Sequence, residues 1–446
     1  MAAIHTLKRA LGRWDLTAIG INQTIGGAVF LMPSQIAAAV GAWSPIAILS
    51  GTLVTMVIAL SLAEVGSRFD ATGGPYLYAR AAFGRFAAFE VGWMQWFTRV
   101  TSHASVANGL ALALGYYWAG AASGWSRIAV IAGITAVLAV INVLGITQGA
   151  RTVNVLTVAK LTPLAAFIVI GLFYITPARF GTFSPVSWDQ ATTAALLTIF
   201  VFGGYEVLTV PAGEANDPRR HVPFALITTV LVVGAVTVLA QVVAVGTVDN
   251  LAASTTPLAD AAAGFMGGPG ALMIGIGALA AMTGNLAGQI LTGSRMLFAL
   301  AERGDLPRAF AQVHPVYRTP VNAILFTAVV AVVLAVSGSF AVLAIASAIA
   351  RLVTYAASCG AAVLLGRPSY AGRSGAAAFV VPFRPVVPVV GAIVSVALIA
   401  GASRVQLAGG LAALAAGAVL FVVNRGYAGP MPAAGDSGIV PSDPVL

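Results

Sequence analysis

The chain has 446 residues, of which 59% are apolar and only 8% charged, and a mean hydropathy of +0.94. Soluble domains carry about 25% charged residues, and the lone cysteine, Cys359, has no intrachain partner, so soluble, disordered, collagen-like and disulfide-stapled architectures are excluded. A polytopic membrane protein remains. The net charge of +9 fits either nucleic acid or the anionic inner leaflet of a bilayer, and the placement of the basic residues decides between them.

Apolar stretches of about 18 residues or more read as membrane helices. Twelve are predicted, over 14–40, 42–66, 84–118, 125–145, 152–176, 192–213, 222–247, 268–302, 320–337, 339–366, 379–402 and 404–424. With both termini placed in the cytoplasm, seventeen of the 23 basic residues fall on inner loops and inner helix ends. Only Arg127, Arg179 and Arg404 fall outside, and Arg99, Lys160 and Arg351 lie within spans. This asymmetry obeys the positive-inside rule and removes nucleic acid as a partner. Residues 1–13 form a cytoplasmic N-terminus with His5, Lys8 and Arg9. The apolar run that follows is longer than that of a signal peptide and lacks an A-x-A cleavage site, so the segment is expected to be retained. Residues 425–446, rich in Pro, Gly and Ser, are expected to form a disordered cytoplasmic tail.

Two spans carry interruptions. The first contains Thr24-Ile25-Gly26-Gly27-Ala28-Val29-Phe30 followed by Pro33, and the sixth contains Phe200-Val201-Phe202-Gly203-Gly204-Tyr205-Glu206 followed by Pro211. Glycine pairs with a nearby proline weaken a helix, and non-helical backbone at membrane depth is tolerated only where it lines a cavity or is buried in protein. Matching breaks at the start of two successive groups of five spans point to a midplane substrate site in an inverted-repeat transporter; a glycine pair on its own would equally serve helix packing. The amides of Gly26, Gly27 and Ala28 would open the second half-helix, where unpaired donors and the positive dipole end favour a carboxylate. Carbonyls around Phe200, Val201 and Gly203 would offer acceptors to an ammonium group. An α-amino acid satisfies both ends. Phe200 and Phe202 either cover such a ligand or pack as ordinary core aromatics.

These residues resemble those of a known family. Ile25-Gly26-Gly27-Ala28-Val29-Phe30 with Pro33 is similar to the first-helix signature of the amino acid, polyamine and organocation transporter superfamily. Ala63-Glu64-Val65-Gly66-Ser67-Arg68-Phe69 through Gly73-Gly74-Pro75-Tyr76-Leu77-Tyr78-Ala79-Arg80 resembles its second-to-third-helix motif. Phe202 to Glu206 with Pro211-Ala212-Gly213-Glu214 and Asp217-Pro218-Arg219-Arg220 resembles its sixth-helix signature, and Ser294-Arg295-Met296 through Gly304-Asp305-Leu306-Pro307 its eighth-helix end. The resemblance, over roughly 14–424, implies an all-α polytopic membrane protein of twelve transmembrane helices with a leucine-transporter-like five-plus-five inverted repeat, helices 1 and 6 broken. The first repeat would span 14–176 and the second 192–366, with helices 11 and 12 at 379–424 appended. It also implies amino acid uptake or exchange by alternating access, usually as a monomer, in the plasma (inner) membrane. One departure stands out: the family commonly has Gly-Ser-Gly or Gly-Ala-Gly where this chain has Gly26-Gly27-Ala28, which adds a methyl group beside the ligand.

Charges inside spans need partners. Lys160 resembles the fifth-helix lysine that, in sodium-independent relatives, places its ammonium where sodium binds in others. Proton exchange and a permanently charged structural cation, held by carbonyls of the broken first helix and by the eighth helix, are both open to it. Glu206 resembles a family glutamate linked to proton sensing, against which stands simple bonding to freed backbone groups or to a buried arginine. Arg99 and His103, four residues apart, share one helical face that by the resemblance borders the substrate. They either select an acidic or polar side chain or neutralise Glu206 and leave the pocket apolar. Together with Lys160 they disfavour a polyamine. Arg351, near Tyr355, has no acidic partner in its own helix; it either satisfies carbonyls or extends the charge network, and is assigned no transport role. Glu64, Glu90, Glu214 and Asp217 are expected to pair with Arg68, Arg85, Arg219 and Arg220, and Thr256-Pro257-Leu258-Ala259-Asp260 resembles an outer re-entrant segment. No hydrolase or metal motif appears, the four histidines are isolated, and no cofactor or metal is expected. The reading is a proton-coupled, sodium-independent amino acid transporter, with an exchanger, a polyamine carrier and a non-transporting sensor as alternatives.

Overall fold

A computed structural model describes residues 7–115, 118–338, 340–402 and 404–425. Residues 1–6, with His5, and the tail from 426 onward lie outside the described residues. Among those described, every regular element is a helix. In chain order these are α1 (Arg13–Thr24), α2 (Ala28–Val40), α3 (Ser44–Gly66), α4 (Pro75–Phe83), α5 (Arg85–Gly115), α6 (Gly124–Val143), α7 (Ile146–Gly171) and α8 (Trp188–Phe202). A 3-10 helix over Tyr205–Glu214 follows, then α9 (Pro218–Thr247), α10 (Pro257–Glu302), α11 (Val321–Ser337), α12 (Phe340–Leu365), α13 (Val386–Ala400) and α14 (Arg404–Arg425). Among the described residues, seven segments are long and apolar enough to cross a bilayer, and three shorter apolar helices accompany them.

Burial is inverted relative to a soluble protein. Leu53, Val155, Val158, Val329 and Val422 are exposed, whereas Arg99, Lys160, Glu206, Glu214 and Arg295 are buried. Apolar residues can face outward at no cost only where the surroundings are themselves apolar, and charges then retreat to the bundle interior.

The helix pairing repeats itself. α1 packs on the 3-10 helix and on α9, while α2 packs on α8 and α8 on α3. Thus the half of the first span before its break meets the half of the sixth span after its break, and the other two halves meet in turn. α3 runs along α9, α5 along α10, and α6 along α11. α10 also packs on α7, and α5 on α12.

The structure differs from the sequence expectations at several ends. The sixth span continues after its break as a ten-residue 3-10 helix, not an α-helix, with Pro211 at φ −80° and ψ 22° inside it. Such runs are uncommonly long for this geometry, and Pro211 supplies no N–H for an α-helical bond. The eleventh span starts at Val386, not 379. Pro382 and Pro385 keep residues 379–385 non-helical, and the freed amides of Phe379 and Val381 donate to Ser67 Oγ at 3.1 Å and Glu64 Oε2 at 3.2 Å. The segment from Pro257 is helical and joins the eighth span across a kink at Gly267, whose φ of +68° suits glycine.

Candidate functional site

The first break is short. α1 ends at Thr24 and α2 begins at Ala28. The Ile25 amide still donates to the Ile21 carbonyl at 2.8 Å, but that of Gly26 turns back to the Thr24 carbonyl at 2.9 Å. Gly26 therefore spends its donor inside the break, and Gly27 and Ala28 are left at the start of α2. Thr24 is buried and its hydroxyl donates to the Gly20 carbonyl at 2.8 Å. A Cβ at Gly26 would meet Asn285 Nδ2 at 3.2 Å, and one at Gly27 would meet Met282 Cε at 3.1 Å, so both glycines face α10.

The carbonyl end of this break is already filled. Lys160, fully buried on α7, donates to the carbonyls of Asn22 at 3.1 Å, Ile25 at 2.8 Å and Ala281 at 3.2 Å. An ammonium has three donors, and each has an acceptor. Two of the three carbonyls lie at the C-terminal end of α1, where the helix dipole favours a cation.

The sixth break carries the opposite charge. Gly203 has extended backbone and Gly204 a φ of +130°. A Cβ at Gly204 would lie 2.5 Å from the Gln23 carbonyl oxygen. That close approach brings the two breaks against each other and admits only glycine. The Gly203 amide donates to the Phe200 carbonyl at 3.2 Å. The Gly204 amide donates to Glu206 Oε2 at 2.9 Å, and Tyr355 Oη donates to the same oxygen at 2.7 Å. Glu206 Oε1 accepts from Arg99 Nη2 at 3.1 Å and lies 3.6 Å from Arg351 Nε.

The expected residues divide accordingly. Gly26, Gly27, Ala28, Lys160, Gly203, Glu206 and Arg99 surround the two breaks. Val201 and Phe202 are buried in the apolar cluster beside α2, with Phe200 packed against it. Phe202 Cε2 lies 3.5 Å from where a side chain at Gly51 would begin, so its ring faces α3 instead of covering the break. His103 is not part of the Arg99–Glu206 group: its Nε2 shares a 3.0 Å hydrogen bond with Thr135 Oγ1 on α6.

Arg351 does have an acidic partner, on another element. With Tyr355 it comes from α12 and completes the surround of Glu206, a contact invisible within its own helix. A Cβ at Gly203 would fall on Arg351 Nη1, so this guanidinium covers the sixth break. The sequence reading also missed an amide seam. Gln23 Nε2 donates to the Asn285 carbonyl and Asn285 Nδ2 to the Gln23 carbonyl, each at 2.9 Å, while Gln289 Nε2 donates to Asn285 Oδ1 at 3.1 Å. Amides at the middle of apolar runs were the available signal.

At the end of the bundle where arginine-rich loops gather, carboxylates pair only in part as expected. Glu64 binds Arg384 at 2.9 Å as well as Arg68 at 3.6 Å, and Glu214 pairs with Arg295 at 2.9 Å, both fully buried. Arg85 reaches Asp305 at 2.7 Å, beside Arg80 at 3.1 Å and Tyr76 Oη at 2.6 Å. Glu90, expected to pair, has neither oxygen bonded among the described residues, because Asp305 takes Arg85 instead. Asp217 meets Arg220 only at an exposed 3.9 Å, and Arg219 donates to the Ser67 carbonyl at 3.1 Å.

A bundle with apolar outer faces, buried charges and two interrupted helices meeting inside it is a polytopic membrane protein of the permease class. The chain belongs to the amino acid permease family, whose model matches residues 11–426, and so to the amino acid, polyamine and organocation superfamily. It is 30% identical to the serine/threonine exchanger SteT of Bacillus subtilis, over 74% of this chain and 76% of that one. It is 30% identical to an uncharacterised transporter of Mycobacterium tuberculosis over 94% and 92% of the two chains. The branched-chain amino acid permease BcaP of Bacillus subtilis is 26% identical over 72% and 73%.

Proposed function

We propose that the protein carries an α-amino acid across the plasma membrane by alternating access, coupled to protons and independent of sodium. The observation that carries this reading is the meeting of two helix breaks with complementary free ends. The amides of Gly27 and Ala28, at the N-terminus of α2, take the substrate carboxylate. The carbonyls of Val201 and Gly203, at the C-terminal end of α8, take its ammonium. Gly26, Phe200 and Thr24 shape the same space, with Phe202 supporting it from behind. The names of the relatives support an amino acid as cargo.

The mirrored pairing of α1 with the 3-10 helix and of α2 with α8, together with the α3–α9, α5–α10 and α6–α11 pairs, supports twelve spans with a five-plus-five inverted repeat. In this reading 14–424 is one transporter domain, its repeats are 14–176 and 192–366, and both termini are cytoplasmic. The chain works as a monomer.

Lys160 and Glu206 are the coupling residues. An ammonium bound by three carbonyls, on the helix where the family resemblance puts a lysine in place of sodium, supports sodium independence. Glu206 connects the sixth break to α5 and α12, so a change in its charge is felt by all three.

Uptake of labelled amino acids into proteoliposomes tests the reading. Sodium-independent accumulation driven by an inward proton gradient is the expected result. Uptake only into preloaded vesicles would replace symport by exchange, the activity named for SteT. Binding with no uptake under any gradient would make the protein a sensor.

A further inference from the structure

The charges around the two breaks do not balance. Lys160 is matched by three carbonyls and has no donor left. At the sixth break a single carboxylate, Glu206, serves two guanidinium groups, and it is already committed to Arg99, Arg351, Tyr355 and the Gly204 amide. Arg99 is 2% exposed and Arg351 9% exposed. Each guanidinium has five N–H donors. Among the described residues, Arg99 Nε and Nη1 and Arg351 Nε have no hydrogen-bond acceptor. One positive charge is in surplus, with donors unused, in contact with the sixth break, and Arg351 Nη1 covers Gly203, where the ammonium of a substrate would bind.

The geometry points to a substrate with a second anionic group, an acidic α-amino acid, whose side-chain carboxylate is held by Arg99 and Arg351. This rests on the amino acid reading above. A carboxylate matches a guanidinium with two parallel hydrogen bonds. Drawing Arg351 onto the substrate would cancel the surplus charge and move a guanidinium away from Gly203, beside the carbonyl that takes the substrate ammonium. A neutral amino acid would leave both arginines as they are and the surplus charge unmatched. Arg351 thus becomes the residue that sets specificity.

Aspartate and asparagine differ by this charge at nearly the same shape, so their competition in proteoliposomes is the test. The expected result is accumulation of labelled aspartate or glutamate, with asparagine competing at least about tenfold more weakly, as for a charge-assisted hydrogen bond. In Arg351→Gln that discrimination should shrink by about tenfold, and Arg351→Lys should keep part of it. Wild-type uptake of serine, leucine or asparagine equal to that of aspartate would overturn this inference and leave the amino acid reading intact. Failure to carry any α-amino acid would overturn the reading itself. Unchanged discrimination in a folded Arg351→Gln protein would remove Arg351 from recognition. Should that variant not fold, the wild-type competition decides.

Discussion

The two helix breaks are built alike in sequence and filled oppositely. At the first, the spare groups are carbonyls, and a cation from a distant helix, Lys160, occupies them. At the sixth, the spare group is the Gly204 amide, and a carboxylate two residues further along the chain, Glu206, takes it. Each break has thereby used the half of its polar capacity that faces its own counter-charge. What remains is the complementary half: amides at the first and carbonyls at the sixth. The polarity of the ligand follows from which ends the protein has left open.

Breaking either counter-charge should test this symmetry, and the larger effect belongs to the sixth break. Glu206→Gln leaves two buried guanidinium groups without an anion, and removing one partner of a buried pair costs about 3–5 kcal/mol. A large fall in melting temperature in detergent is expected, and a variant as stable as the wild type would show that Glu206 does not neutralise the arginines. Next comes the backbone contact between the breaks. Gly204→Ala forces a side chain onto the Gln23 carbonyl at a φ of +130°, with strain of about 1–3 kcal/mol before any clash is counted. At Gly27 an added Cβ would meet the flexible end of Met282 at 3.1 Å and no backbone, so Gly27→Val should fold and yet fail to bind amino acid. Comparing the two by melting and by ligand binding separates the structural glycine from the one beside the ligand. Lys160→Ala takes the donor from the Asn22 and Ile25 carbonyls at the end of α1, and should cost at least about 2 kcal/mol. It is expected to fold while losing transport or its pH dependence, and unchanged uptake across pH would remove Lys160 from coupling.

The breaks themselves were legible in the sequence because Gly26-Gly27 and Gly203-Gly204 disrupt apolar runs in ways no packing requirement demands of both. Lys160 was legible as a charge where none is cheap. Its acceptors, read as carbonyls of the broken first helix and of the eighth, are those of Asn22, Ile25 and Ala281; only which carbonyls they are needed the structure, since backbone atoms carry no side-chain signature. The pairing of Glu206 with Arg351 and Tyr355 was hidden for a related reason: the partners sit on the 3-10 helix and α12, and helical periodicity speaks only within one element. His103 shows the converse error. Four residues from Arg99, it shares a helical face with it but turns to Thr135, because a face is wide enough to serve two neighbours. The end clusters were legible in part: Glu64 meets Arg68 and Asp217 meets Arg220 as expected, whereas Arg85 turns to Asp305 and not to Glu90, which is nearer in sequence.

The most direct test of the claim that the two open ends hold an α-amino acid is competition by analogues lacking one end. Transport of the best substrate should be inhibited by that amino acid, and neither by its carboxamide nor by the acid lacking the α-amino group. Inhibition by an amine without a carboxylate, as strong as that by the amino acid itself, would contradict the assignment of the first break.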